Sequence, residues 1–298
     1  MIQPTNKYTY LGAIISGKGL KDQIADHLQS KQAHLFKFTS FLTKNNDAPF
    51  AIKYKVWDSA LKAATLFSSE TWLLNNLRIL DKPYLSSLKQ MLGVRHTTCN
   101  DTIMIELGIG DAQSTVKDIQ YNYLRKVSNS QSHVLLCNLM ADAIAHNTPM
   151  GREIQNILGT NGDFTGIFVQ NLRNKVRTST STRRHDYVSL NQTLLPYKLY
   201  KDSVPEYARI STTRLRLGSH RLKIESGRWA RIPRNNRLCT CKTDIQTESH
   251  VLLDCPKTLY LRNSIPTIKN CNNLNNLFET IDTHTLATYI SKVLRLME

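Results

Sequence analysis

The N-terminal half of the chain combines one strand-like segment with several helix-like ones. The segment YTYLGAIIS is rich in β-branched and aromatic residues around a glycine, which predicts one short strand and a turn. From Leu20 to Leu42 the apolar residues recur at helical spacing, and later stretches repeat that period as far as His146. The pattern therefore predicts a strand over residues 1–19 and a helical bundle over residues 20–146.

Glycine, proline and aspartate place the ends of these helices. Asp47 is a suitable N-cap, and Pro49 lies in the first turn of the helix that follows it. Gly93 is expected to end a helix that covers roughly residues 75–92. Asp101 is expected to cap a short helix that stops at Gly108.

The C-terminal half is less regular. Residues 147–208 are rich in Gly, Thr, Ser and Asn, which predicts a linker with short helices that is partly flexible. Residues 209–265 combine a basic segment with a cysteine cluster, and residues 266–298 are expected to form a helical tail with a closing helix. The predicted fold class is mainly α.

The apolar residues exclude some classes of protein. No run approaches the roughly 20 apolar residues of a membrane span, and the N-terminus MIQPTNKYTY lacks the features of a signal peptide. We therefore expect a nuclear or cytoplasmic protein that is not secreted and has no membrane partner. In such compartments cysteines stay reduced, so a cysteine cluster favours metal binding over disulfides.

Positive charge is concentrated in one part of the chain. The formal net charge is +16, and Arg209–Arg237 holds nine basic residues against the single acid Glu225. Such a one-sided segment is typical of a polyanion partner, and it favours nucleic acid, RNA or DNA. A solvated basic face and an acidic membrane surface remain alternatives, although no basic amphipathic helix supports the membrane.

A cysteine and histidine cluster follows this basic segment with the spacing C-x-C-x8-H-x4-C. Its four members are Cys239, Cys241, His250 and Cys255. Zn²⁺ takes about four sulfur or nitrogen ligands in a tetrahedron, so the cluster predicts a structural zinc site. The alternative is a group of reduced cysteines beside a surface histidine. Cys271 is a weaker competing ligand, whereas Cys99 and Cys137 are expected to be small buried hydrophobic residues.

The region from residue 215 to residue 256 resembles the C-terminal part of reverse transcriptases from non-LTR (LINE-type) retrotransposons. That family carries an I-E-x-G-R element, then an R-x-C cysteine pair and an E-x-H-x-L-x-x-C element. The matching residues here are Ile224, Glu225, Gly227, Arg228, Arg237, Cys239, Glu248, His250, Leu252 and Cys255. The resemblance implies a CCHC zinc knuckle.

The N-terminal half resembles the thumb of the same polymerases. YLG, at Tyr10, Leu11 and Gly12, is similar to a strand that leaves the palm and helps to hold the primer end. LFSSETW, LKQMLGV and NDTIMIELG follow in the order of the family's thumb motifs. The resemblance therefore implies a thumb-like bundle with a primer-grip-like strand.

The chain departs from the family at the catalytic site. Polymerisation needs two metal ions held by palm aspartates, and no two adjacent aspartates occur in this sequence. We therefore expect no catalytic residues and no polymerase activity from this chain alone. Whether it acts in an enzyme is uncertain. An expected partner is the palm and fingers portion of the same polymerase, and a truncated element and a separate gene both remain open.

The resemblance implies nucleic-acid binding, to RNA template or target DNA, as part of a ribonucleoprotein. The residues expected to contact nucleic acid are Arg209, Arg214, Arg216, Arg221, Lys223, Arg228, Trp229, Arg231, Arg234 and Arg237. Trp229 is expected either to stack on a base or to pack against the knuckle, and His220 is expected to be solvated. The rival interpretation is a helical protein–protein scaffold with a structural zinc tail.

Overall fold

The computed structural model describes residues 5–74 and 76–298. Helix accounts for 67% of the chain and strand for 3%, which confirms the mainly α class. Residues 1–4, assigned from the sequence to the strand region, lie outside the described residues, as does Asn75, the predicted start of a helix.

The N-terminal strand region is a hairpin. Strand β1 (Lys7–Tyr10) pairs antiparallel with β2 (Ala13–Ser16), and Tyr10 lies opposite Ala13. The two loop residues, Leu11 and Gly12, have positive φ values of 47° and 84°, as a two-residue type I′ hairpin turn requires. The prediction of a single strand was wrong because a leucine rarely takes this left-handed conformation and gives no turn signal.

The helices follow in chain order. Their bounds are α1 (Leu20–Ser30), α2 (Gln32–Lys44), α3 (Phe50–Val56), α4 (Ala63–Thr65), α5 (Asp81–Leu92), α6 (Asn100–Leu107), α7 (Ala112–Ser128), α8 (Val134–Ala145), α9 (Pro149–Leu158), α10 (Phe164–Arg177), α11 (Thr182–Leu190), α12 (Glu206–Arg216), α13 (Lys223–Trp229), α14 (Leu259–Asn263), α15 (Pro266–Lys269), α16 (Leu274–Thr280) and α17 (Thr283–Met297). Short 3₁₀ turns occur at Ser69–Thr71, Arg78–Leu80, Gln131–His133, Lys198–Tyr200, Arg234–Asn236 and Pro256–Thr258, and π turns at Trp57–Lys62 and His250–Asp254.

Several predicted helix ends agree with these bounds and others differ. Gly93 and Gly108 follow α5 and α6 with φ values of 71° and 67°, the left-handed conformation that ends a helix. The N-cap of α6 is Cys99, so Asp101 lies inside the first turn. The predicted helix from Leu20 to Leu42 is divided into α1 and α2.

The chain divides into two compact units, each built from segments that are separated in the sequence. The first unit comprises Met1–Phe41, Lys55–Ser87 and Ile109–Asn171. The second comprises Leu42–Tyr54, Leu88–Gly108 and Leu172–Glu298. Residues of the predicted bundle therefore contribute to both units.

The first unit is built around two fully buried tryptophans. The indole nitrogen of Trp57 donates a hydrogen bond to Ser87 Oγ at 2.8 Å. The ring of Trp72 meets the buried ring of His27 edge-on, with 5.1 Å between centroids. Burying an indole with its N–H satisfied contributes apolar area without the cost of an unpaired donor.

The predicted linker is helical. Residues 147–208 contain α9, α10 and α11, which bury Ile154, Leu172 and Tyr187 among others. The sequence predicted short helices here but signalled them weakly, because each helix buries only a few apolar residues and is flanked by Thr, Ser and Gly; the role of the segment as a partly flexible linker stays a prediction. One of these flanking residues, Thr148, caps α9 by accepting a hydrogen bond from the backbone N–H of Gly151 at 3.0 Å.

The second unit joins the cysteine cluster and the C-terminal helix in one apolar core. Cys239, Cys255 and Val251 pack in the same buried cluster as Tyr289 and Ile290 of α17. The hydroxyl of Tyr289 donates to the carbonyl of Leu252 at 2.5 Å. The predicted C-terminal tail is therefore part of the core that surrounds the cluster.

Candidate metal centre and basic surface

A tight turn brings the first two cysteines of the cluster together. The backbone N–H of Lys242 donates to the carbonyl of Cys239 at 2.9 Å, and Lys242 adopts a left-handed φ of 68°. The N–H of Cys239 in turn donates to the carbonyl of Asp244 at 2.8 Å. An antiparallel bridge between Leu238 and Ile245 closes this small loop. Local backbone bonds therefore fix the position of both sulfurs.

A π turn aligns the other two members. His250 and Cys255 are five residues apart, which in an α-helix would rotate their side chains about 140° from each other. The segment His250–Asp254 is instead a π turn, and the N–H of Cys255 donates to the carbonyl of His250 at 2.7 Å. The wider π turn reduces that rotation, and π turns of this kind are frequent at functional sites.

The four side chains converge on one point. Their ligand atoms, three Sγ atoms and one imidazole nitrogen, all lie within 4.8 Å of one another. The sulfurs of Cys239 and Cys255 are 3.8 Å apart, and Cys241 Sγ lies 3.2 Å from His250 Nε2. Tetrahedral zinc with Zn–S bonds of about 2.3 Å separates two sulfurs by about 3.8 Å, and a sulfur from a nitrogen by about 3.5 Å. The group is therefore close enough to hold a metal ion.

The pKa values of two of the thiols are shifted in opposite directions. Burial raises the pKa of Cys255 to about 11. Burial would also raise the pKa of Cys241, but hydrogen bonds with Thr243, Cys239 and His250 outweigh it and hold that pKa at about 5. Cys241 is thus ready to act as a thiolate ligand, whereas a bound cation would have to displace the proton of Cys255.

Two of the residues that were predicted to contact nucleic acid are buried. Arg209 and Arg216 are each 1% exposed. Arg209 pairs with Glu206 at 2.7 Å, and Arg216 pairs with Glu106 at 2.6 Å. The prediction that they contact phosphates was wrong, because both guanidinium groups are used inside the second unit.

Two further arginines form hydrogen bonds or ion pairs with other residues of the protein. Arg237 is half-buried and donates hydrogen bonds to the carbonyls of Ile232 and Ile224 at 2.7–2.9 Å. Arg228 forms ion pairs with Asp186 at 3.0 Å and Glu225 at 2.9 Å. Their positive charges are thus partly committed, and a phosphate contact by either residue stays a prediction.

The remaining five predicted cations are exposed. They are Arg214, Arg221, Lys223, Arg231 and Arg234. In the described part of the chain, the arginines of this segment that form ion pairs are Arg209, Arg216 and Arg228. The five exposed side chains are not among them, so their charge is available to a partner.

Trp229 has a partner that the sequence did not indicate. The guanidinium of Arg95 stacks on its ring, with the Cζ atom 3.3 Å from the ring centroid. The prediction that His220 is solvated was wrong, since the residue is 1% exposed and its Nε2 lies 2.8 Å from Glu248 Oε1. Both relationships join distant parts of the sequence, and a pattern within one segment cannot detect them.

The predicted primer-grip residues lie at the tip of the hairpin. Tyr10 and Leu11 are exposed, and Gly12 completes the turn. This geometry leaves their side chains accessible, and a role in holding a primer stays a prediction.

No protein-family model, curated protein or solved structure matches the chain. Within residues 5–74 and 76–298, no helix is both long enough and apolar enough to cross a bilayer.

Proposed function

We propose that the second unit binds nucleic acid through its exposed basic residues and that the cysteine and histidine cluster holds a structural zinc ion. The observation that carries the proposal is the set of five exposed cations, in the same unit as the cluster, whose side chains form no ion pair with a carboxylate among the described residues. Surface lysine and arginine often pair with nearby acids. A group that does not is suited to phosphates.

The donor set favours zinc over other metals. Three thiolates and one imidazole in a tetrahedron suit Zn²⁺, whereas Mg²⁺ and Ca²⁺ prefer oxygen ligands. The cluster offers no open ligand position, because four protein ligands complete the coordination. The zinc would therefore stabilise the fold around Cys239 and Cys255 and would take no part in a reaction.

The buried arginines would support the surface indirectly. Arg209 and Arg216 lie on α12, the helix that also carries the exposed Arg214. Arg216 pairs with Glu106 of α6, and Arg209 donates hydrogen bonds to the carbonyls of Met91 and Leu92 at the end of α5, so both side chains hold α12 in the core of the unit. A helix fixed in this way presents Arg214 at a defined position.

The resemblance to non-LTR retrotransposon reverse transcriptases agrees with this function. On that basis we propose that the chain corresponds to the thumb and zinc-knuckle portion, which grips RNA template or target DNA in a ribonucleoprotein. The proposal assigns binding to the chain and assigns catalysis to a palm portion elsewhere in the polymerase.

A protein–protein scaffold is the second candidate, and one observation favours it. The first unit has an apolar groove of about 730 Å³ between α8 and α9, lined by residues such as Leu136 and Ile154. Leu135, Leu139 and Met150 are exposed on these two helices. Exposed apolar residues beside a groove are typical of protein interaction sites.

Salt dependence of binding separates the two candidates. We would measure the affinity of the zinc-loaded chain for duplex DNA and for single-stranded RNA at several salt concentrations. If the five exposed cations contact duplex phosphates, log affinity should fall against log salt with a slope of about −4.5. A scaffold predicts no salt-dependent affinity for either nucleic acid.

A further inference from the structure

A second concave site lies in the second unit, and none of the four cluster residues lines it. This cavity has a volume of about 370 Å³. Its charged and aromatic lining consists of Arg95, Arg214, His220, Arg221, Trp229 and Glu298. Three arginines against one glutamate make its lining strongly basic.

Arg95 is held in place on one side of the cavity. Its guanidinium stacks on Trp229 at 3.3 Å, and its backbone N–H donates to Ser219 Oγ at 2.8 Å. Its Nη1 atom is buried and has no hydrogen-bond partner in the described part of the chain. An unpaired guanidinium donor is costly in a protein interior, and an anionic ligand would satisfy it.

Arg214 and Arg221 supply further donors. Arg214 donates its Nε–H to the carbonyl of Gly93 at 2.7 Å, and its two terminal nitrogens form no other hydrogen bond within the described residues. The backbone N–H of Arg221 donates to Glu298 Oε1 at 2.6 Å, which orients the residue and leaves its side chain exposed. A guanidinium group can donate two parallel hydrogen bonds to two oxygens of one phosphate.

His220 adds a polarised group to the same lining. Its Nε2 lies 2.8 Å from Glu248, and its Nδ1 is buried with no partner among the described residues. Burial alone would lower the pKa of His220, but the hydrogen bond and charge of Glu248, with the charges of Glu225 and Glu298, raise it. A protonated ring offers Nδ1–H as a donor.

We infer that this cavity binds the terminal phosphate of a nucleic-acid strand. A terminal phosphate monoester carries a charge of about −1.5 to −2 and three acceptor oxygens at neutral pH. An internal phosphodiester carries one charge and is flanked by sugars on both sides. The excess of donors in a concave site suits the monoester. The inference rests on the proposed function, since it places the end of a bound strand, and a free phosphate compound has the same chemistry.

The test compares strands that differ only at their ends. An internally labelled single strand is prepared with a 5′-phosphate, with a 3′-phosphate, or with hydroxyls at both ends, and its affinity is measured by fluorescence anisotropy. The wild-type chain should bind one phosphorylated strand about tenfold more tightly than the hydroxyl strand, as expected for one charge-assisted contact. Arg221→Gln should abolish this preference, and Arg234→Gln, an exposed residue outside the cavity lining, should retain it.

Several results would overturn the inference. One is salt-dependent binding of the hydroxyl strand with no end preference, which would leave the proposed function intact. Equal loss of preference in Arg221→Gln and Arg234→Gln would be another. Inorganic phosphate that raises the unfolding temperature of the wild type but not of Arg221→Gln, without any end preference, would assign the cavity to a free phosphate compound. Absence of binding to all strands would instead contradict the proposed function.

Discussion

Glu106 and Arg216 form a buried, doubly hydrogen-bonded ion pair in the second unit, although 110 positions separate them in the sequence. Arg216 Nε lies 2.6 Å from Oε1 and Nη2 lies 3.0 Å from Oε2. The hydroxyl of Tyr187 also donates to Glu106, at 2.8 Å. A buried charge with all its partners present is tolerated, but removal of one partner leaves the other charge uncompensated.

Substitution of this carboxylate should therefore destabilise the protein strongly. Glu106→Gln should lower the free energy of unfolding by about 3–5 kcal/mol, because the Arg216 charge stays buried. Chemical denaturation measures this loss. The matched control is Asp58→Asn, which breaks a partly exposed pair with Lys62 one helical turn away and should cost less than about 1 kcal/mol. Similar losses from both variants would mean that Arg216 is not buried as described.

Removal of the metal should affect more than the cluster itself. Cys239 and Cys255 share an apolar core with α17, so loss of zinc should loosen that helix as well as the turn around His250. Metal analysis should give one zinc per chain, and chelation should remove hydrogen-exchange protection from both segments. Retained protection in a zinc-free preparation would contradict the metal assignment.

Cysteine substitutions test the ligand set. Cys255→Ala should abolish stoichiometric zinc, whereas Cys271→Ala should retain it. Cys271 is a suitable control because it lies in the same apolar core but is not among the four convergent side chains. Loss of zinc in both variants would indicate a general effect of unfolding or a different ligand set.

His27 should make the stability of the protein depend on pH. Burial lowers the pKa of His27, and the charge of Lys31 lowers it further. The folded state therefore binds its proton less readily than the unfolded state, so stability is complete above about pH 6.5 and falls as the pH drops below it. The slope should reach at most about 1.4 kcal/mol per pH unit from this group.

The control is His27→Gln, which keeps a donor that can reach the carbonyl of Thr65, the partner of His27 Nε2 at 3.2 Å. This variant does not titrate. Its loss of stability between pH 7.5 and pH 5.5 should be smaller than that of the wild type. An identical pH dependence in the two proteins would show that His27 is not the group responsible.

Gly151 tests the packing of α9 in the first unit. A Cβ atom at this position would lie 2.0 Å from the carbonyl oxygen of Ala143, a backbone atom of α8. Gly151→Ala should therefore lower the unfolding temperature by several degrees, since the two helices have to move apart. Gly17→Ala, whose nearest contact would be an ordinary 3.6 Å, should have little effect. An unchanged unfolding temperature in Gly151→Ala would contradict this helix contact.

The sequence predicted those features that depend on local geometry. Gly93 and Gly108 end helices because a left-handed residue is needed there, and for glycine that conformation is not costly. The cluster was found because its four members lie within 17 consecutive residues, 239–255. Features that depend on distant partners were missed. Arg216 looks like any other arginine of a basic segment until the fold places Glu106 beside it.

The basic segment illustrates the same limit. Nine basic residues between Arg209 and Arg237 suggest a uniform surface. The fold divides them into two that are buried, two that are partly committed to internal partners, and five that are exposed. Composition gives the total charge, but only the three-dimensional arrangement shows which charges a partner could reach.

The central claim is that these exposed cations bind nucleic acid, and a pair of charge-reversal variants tests it most directly. One variant changes Lys223, Arg231 and Arg234 to glutamate, and the other changes Lys18, Lys21 and Lys37, which are exposed in the first unit. The affinity for duplex DNA is measured at several salt concentrations for both variants and for the wild type. The first variant should bind duplex weakly, and its slope of log affinity against log salt should change from about −4.5 to about −2. The affinity and slope of the second variant should stay close to those of the wild type. Equal losses in the two variants would contradict the claim, because the positive charge would then act as a diffuse field without a binding surface.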